Sequence, residues 1–194
     1  ESEFVVKLSG VARIAKPGGF VDLRDSLGTG DPGASFGATW ADYDGDGDPD
    51  LYVVRSLESN LLYRNDSNGF TQQGDQMGVA DNGDGSGAAW ADFDRDGDLD
   101  LYVTNFGQPN RFYRNDGSGF SPIEVEMGLD DIGDGYGAAW ADVNQDGYPD
   151  LYVANFGTNR FYRNEGSRFS EVAEELGLAD RNSSIQPAWA DFDA

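Results

Sequence analysis

Residues 136–157 read Y-G-A-A-W-A-D-V-N-Q-D-G-Y-P-D-L-Y-V-A-N-F-G, and the same phrase recurs upstream with small changes. Trp40, Trp90, Trp140 and Trp189 stand 50, 50 and 49 residues apart, each inside a variant of G-A-A-W-A-D. Phe20, Phe70, Phe120 and Phe169 keep the same period. Between them recur L-Y-V, at Leu51–Val53, Leu101–Val103 and Leu151–Val153, and Y-R-N, at Tyr63–Asn65, Tyr113–Asn115 and Tyr162–Asn164. Self-similarity at a fixed period of this length marks stacked units, each too small to bury its apolar face alone.

Within one unit, the segments G-A-A-W-A-D, D-L-Y-V-T-N, N-R-F-Y-R-N and G-F-S-P-I-E-V are short, aromatic or β-branched, and bounded by Gly, Asn or Asp. Each reads as a strand. Only E-V-A-E-E-L-G (171–177) and its counterparts suit a helical turn, ending at Gly78, Gly128 and Gly177. Four short strands per repeat of about 40 to 50 residues predict an all-β fold, a β-propeller of four-stranded blades. A β-sandwich or solenoid is the alternative. The units run as a half blade at 1–20, full repeats at 21–70, 71–120 and 121–169, and a partial repeat at 170–194. Glu3–Leu8 matches Leu51–Ser56, and the chain stops after a fourth Trp strand. Either the ends meet in one composite blade, or the units belong to a ring of seven or eight blades; the larger ring is the expectation.

The chemistry lies between the Trp strand and the L-Y-V strand. There the sequence reads D-Y-D-G-D-G-D-P-D (42–50), D-F-D-R-D-G-D-L-D (92–100) and D-V-N-Q-D-G-Y-P-D (142–150). Alternate residues of a tight loop turn their oxygens toward one centre, and Gly at position six permits the bend. A hard cation takes six to eight oxygens, so four side chains, the position-seven carbonyl and water satisfy it, and calcium fits better than magnesium. The candidate ligand positions are Asp42, Asp44, Asp46, Asp48 and Asp50 in loop one, and Asp92, Asp94, Asp96, Asp98 and Asp100 in loop two. Loop three offers Asp142, Asn144, Asp146, Tyr148 and Asp150. About three calcium ions are expected, with loop three the weakest because Asn144 removes a charge. Solvated acidic turns are the plainer reading, since Asp and Gly favour turns. Three in-register copies, however, would crowd like charges for nothing. A helical calcium loop needs a bidentate Glu at position twelve, and those positions hold Val53, Val103 and Val153.

The unit resembles the FG-GAP/VCBS repeat, found in the integrin α-subunit propeller, in several fungal lectins and in proteins similar to cartilage acidic protein. The resemblance implies calcium bound by loop positions one, three, five and nine. These are Asp42, Asp44, Asp46 and Asp50; Asp92, Asp94, Asp96 and Asp100; and Asp142, Asn144, Asp146 and Asp150. The fourth copy keeps Asp191 and Asp193 but ends before the Gly and the last Asp. The four Trp read as core between blades. Arg64, Arg114 and Arg163 read as partners of acidic loops or struts between blades.

Composition narrows the function. Asp and Glu number 36 against 13 Lys and Arg, a net charge of -23, which disfavours nucleic acid as a partner. With 12 Phe, 9 Tyr and 4 Trp the chain is too aromatic for a disordered acidic segment, so its carboxylates want a counterion. There is no Cys and no His, and the only lysines are Lys7 and Lys16, so disulfides, thiolate metal sites and the commonest catalytic base are absent. No apolar run reaches the roughly 20 residues that cross a bilayer, so no membrane insertion is expected. The chain opens at Glu1 rather than Met, which fits a processed or excised protein. Asn65-Asp66-Ser67 and Asn182-Ser183-Ser184 are glycosylation sequons if the source is a secreting eukaryote. The expected function is a calcium-stabilised extracellular binding or adhesion module with no catalytic site, its blade loops meeting a protein or glycan. The alternatives are a structural subunit or fragment that meets further blades or self-associates, and a calcium-dependent polysaccharide-active enzyme.

Overall fold

The computed structural model describes residues 28–30, 33–66 and 69–190. The half blade expected at 1–20, with Lys7 and Lys16, lies outside the described residues, as do Ser67, Asp191 and Asp193. Three antiparallel sheets of four strands follow one another along the chain. Blade one contains β1 (Ser35–Ala41), β2 (Asp50–Arg55), β3 (Leu61–Asp66) and β4 (Gly69–Gln72). Blade two contains β5 (Gly85–Ala91) and β6 (Asp100–Asn105), then, after the two-residue β7 (Gln108–Pro109), β8 (Arg111–Asn115) and β9 (Phe120–Pro122). β10 (Ile132–Gly133) pairs with β7, tying the connection that enters blade three to blade two. Blade three contains β11 (Gly135–Ala141), β12 (Asp150–Asn155), β13 (Arg160–Asn164) and β14 (Phe169–Glu171). The chain is all-β in propeller-like blades, as the repeat predicts. The last strand of each blade crosses the boundary drawn at Phe70, Phe120 or Phe169, because that Phe sits inside the strand.

The second strands are apolar without alternation because blades cover them on both faces; every residue of β6 is buried. One apolar cluster joins blades one and two, with Tyr52, Leu62, Leu101 and Val103 around Trp90. Its counterpart joins blades two and three, with Tyr102, Phe112, Leu151 and Val153 around Trp140. Trp90 meets Tyr52 of the preceding blade edge-on at 6.1 Å, and Trp140 meets Tyr102 at 6.3 Å. Trp189 packs the same way on Tyr152 and Phe161 of blade three, 6.1 Å from each, though 41% exposed, while Trp40 is 56% exposed. The described residues place no blade before Trp40, whose ring neighbour is Phe70 of its own blade.

First strands of neighbouring blades lie side by side. Each carries a bulge between Gly85 and Gly87 or the equivalent pair. A Cβ on Gly87 would meet the Tyr136 carbonyl at 2.8 Å, and one on Gly137 the Ile185 carbonyl at 2.8 Å, so these contacts admit only glycine. The expected helical turns are α1 (Gly74–Met77), α2 (Glu124–Met127) and α3 (Ala173–Leu176). They close on left-handed Gly78, Gly128 and Gly177. The fourth Trp segment forms no strand, although the Trp189 ring nitrogen donates to the Ala139 carbonyl. Pro187 lacks the N–H a ladder needs, and no second strand is described beside it.

Candidate metal-binding loops

Each candidate loop joins the first two strands of a blade, so all three open on the same edge of their sheets. The hairpin leaves Val53, Val103 and Val153 inside strands, away from any ligand position. Gly47, Gly97 and Gly147 adopt positive φ and donate their N–H to the position-one aspartate, at 2.9 Å to Asp42, 3.1 Å to Asp92 and 2.8 Å to Asp142. Position four also demands positive φ. Gly45 fills it in loop one, but Arg95 and Gln145 adopt it in loops two and three, at φ 65° and 59°.

Position nine is the anchor. Asp50, Asp100 and Asp150 are buried. In each, one oxygen accepts the position-two N–H, from Tyr43, Phe93 or Val143, and the other accepts an N–H from the third strand, from Asn65, Asn115 or Asn164. Burial pushes Asp100 up to about 7 and Asp50 up to about 6, against these hydrogen bonds, and raises Asp150 as well. Asp44 and Asp94 are raised by burial first, then by neighbouring aspartates, with Arg64 and Arg114 pulling the other way. Burial, more than the neighbouring charges, drives each of these rises.

Loop one gathers oxygens of Asp42, Asp44 and Asp46 within 4.8 Å of one another, and loop two those of Asp92, Asp94 and Asp100. Asp48 and Asp50 lie outside the loop-one group, and Asp96 and Asp98 outside the loop-two group. While one oxygen of Asp42 and of Asp92 takes the glycine N–H, the other, Oδ1, is buried with no hydrogen-bond partner. Loop three closes on itself. The Asn144 amide donates to Asp146 at 2.8 Å, and Asp146 N donates to Asp142 Oδ1 at 3.1 Å. Tyr148 turns its ring toward loop two, 5.3 Å from the Arg95 guanidinium. An oxygen-only donor set with orphaned buried carboxylate atoms fits a hard cation such as calcium.

Two further contributors meet the loops, an arginine already expected as a partner of the acidic loops and a pair of asparagines that sequence reading missed. Arg64 reaches from β3 into loop one, 2.7 Å from Asp44 and 3.3 Å from Asp46, placing a guanidinium among the candidate ligands. Asn115 and Asn164, the last residues of Y-R-N, cross between blades to donate to the carbonyls of Tyr43 and Phe93, both at 2.9 Å. Their signal was a polar residue that recurs at the end of an apolar strand.

Comparison with known families agrees with this geometry. The FG-GAP-like repeat matches residues 42–103, 94–153 and 142–194, each match opening within a candidate loop. No curated protein matches the chain.

Proposed function

Because the chain belongs to the FG-GAP-like repeat family, whose matches together span residues 42–194, we propose that it is a calcium-stabilised extracellular binding module. Calcium would be held by Asp42, Asp44, Asp46 and Asp50, by Asp92, Asp94, Asp96 and Asp100, and by Asp142, Asn144, Asp146 and Asp150. The observation that carries this reading is the pair of buried, unpartnered oxygens, Asp42 Oδ1 and Asp92 Oδ1, each in a loop with two further carboxylates within 4.8 Å. Burying a carboxylate oxygen without a donor is costly, and a cation at that point removes the cost. When bound, calcium supplies the charge that lets five aspartates share each of loops one and two. The chain's own residues do the rest: the glycine N–H groups orient position one, and the third-strand N–H groups hold position nine.

Rigid loops on a repeated scaffold suit recognition of a protein or glycan partner. Binding is favoured over turnover because each polar motif recurs from blade to blade, whereas an active site breaks repeat symmetry. An extracellular location suits this reading, because calcium there is abundant enough to fill loops of even moderate affinity.

Calorimetric titration of the metal-free chain should give about three calcium ions. Each adds about 2.7 kcal/mol when free calcium is a hundredfold above its dissociation constant. Three sites then contribute about 8 kcal/mol, comparable with the whole stability of a typical domain. Melting should therefore fall sharply on chelation and recover with millimolar calcium; identical melting in chelator and in calcium sinks the reading.

A further inference from the structure

The three loops are joined by an unbroken series of hydrogen bonds. Starting in blade three, Asn164 N donates to Asp150 Oδ1 at 2.9 Å, while its side-chain amide donates to the Phe93 carbonyl in loop two at 2.9 Å. Phe93 N then donates to Asp100 Oδ2 at 3.1 Å, and Asp100 Oδ1 accepts Asn115 N at 2.9 Å. The Asn115 amide donates to the Tyr43 carbonyl in loop one at 2.9 Å, and Tyr43 N donates to Asp50 Oδ2 at 3.1 Å. Every ninth-position aspartate is therefore linked to the loop of the adjacent blade through one position-two residue or one asparagine.

Asparagine suits this junction. The second amide proton of Asn115 goes to the Leu99 carbonyl and that of Asn164 to the Pro149 carbonyl, both within their own blades. Their Oδ1 atoms accept the N–H groups of Gly117 and Gly166 at 3.0 and 2.9 Å. With both donors and the acceptor engaged, and the residues 1% and 0% exposed, neither side chain can move without moving both loops. Asn65 makes the same bonds to Asp50 and Pro49 within its blade, but among the described residues it has no partner in a preceding loop. Loops two and three have a second link, Arg95 over the Tyr148 ring.

We propose that neighbouring loops bind calcium cooperatively, with Asn115 and Asn164 as positioning residues that carry the coupling from one loop to the next. This rests on the calcium reading above. A cation that draws Asp100 into place in loop two also fixes Asn115 and, through it, Tyr43, whose carbonyl accepts from Asn115 and whose N–H holds Asp50. The effect is reciprocal, because linkage between sites is symmetric.

The test reads each loop separately through the amide NMR signals of Gly47, Gly97 and Gly147 during calcium titration of the intact chain. Emptying loop two with Asp94→Ala and Asp96→Ala should weaken loops one and three by about tenfold, within the usual range for coupled sites. Unchanged affinities at both loops overturn the proposal while leaving calcium binding intact; a wild-type chain that binds no calcium removes the calcium reading itself. Asn115→Ala supplies the readout that a purely structural role does not move. Loop one should stop responding to the emptying of loop two, while loop three still responds through Asn164. Asn65→Ala, the matched within-blade truncation, should leave the response intact. If Asn115→Ala lowers melting yet loop one still follows loop two, the coupling does not run through Asn115.

Discussion

In loop two, Asp92 is half-buried with one oxygen unpartnered, and Asp94 and Asp100 lie close by. In loop three, Asp142 is exposed and both its oxygens accept backbone N–H groups, from Asp146 and Gly147. The strands on either side are the same in length and register. Among the side-chain ligand positions one, three, five and nine, only position three differs, where Asn144 brings its own donor and gives it to Asp146. An amide thus does inside loop three part of what a cation would do inside loop two. Loop three is the more self-sufficient without metal and has less to gain from it.

The largest effect that sharpens this contrast acts on all loops at once, through pH. Burial raises Asp100 to about 7 and Asp50 to about 6, above the roughly 3.9 of an unfolded aspartate. A raised acid makes the folded chain hold protons more tightly than the unfolded one. In the metal-free chain, its contribution is therefore fully present below about pH 4 and is lost as pH rises through about 6 to 7. In saturating calcium the trend reverses, since protonation removes ligands as pH falls. Melting curves across this range, in chelator and in calcium, should slope in opposite directions. Asp100→Asn should flatten the chelated curve more than Asp150→Asn does, and a chelated curve flat in the wild type breaks the account.

Next in size is a pair of single substitutions measured by denaturant unfolding in excess calcium. Asp92→Asn should remove loop two's own contribution, about 2.7 kcal/mol at a hundredfold calcium excess, together with what loops one and three lose through their coupling to it. Asp142→Asn should cost about 1 kcal/mol, the value for a site only a few-fold above its dissociation constant. Equal losses would erase the distinction between the loops. The smallest effect is a gain. Asn144→Asp should tighten calcium at loop three about tenfold, some 1.4 kcal/mol, while lowering the melting temperature of the metal-free chain. The Gly147 amide signal reports the first and a melt in chelator the second.

The repeat and the nine-residue acidic spacing were enough to place the strands, the helical turns and the loops, because each is decided by residues close in sequence. The links between loops were not legible. Asn115 meets Tyr43 across 72 positions and Asn164 meets Phe93 across 71, and a distance of more than one repeat leaves no local pattern. The unequal burial of the four tryptophans was hidden for a similar reason: the motif is the same, but cover depends on which blade stands beside it. The fourth segment shows the converse, where G-A-A-W reads as a strand until Gln186 and Pro187 replace its Gly and Ala.

The contact between first strands has a consequence for how such a chain is assembled over generations. Where Gly87 faces the Tyr136 carbonyl and Gly137 the Ile185 carbonyl, the meeting surfaces are main chain against main chain. A contact of that kind is indifferent to which unit supplies it, so gene segments encoding G-A-A-W units can be duplicated, deleted or shuffled without redesigning the hub. Gln186 is the exception: it occupies the glycine position, stands exposed, and carries a side chain where its predecessors carry none.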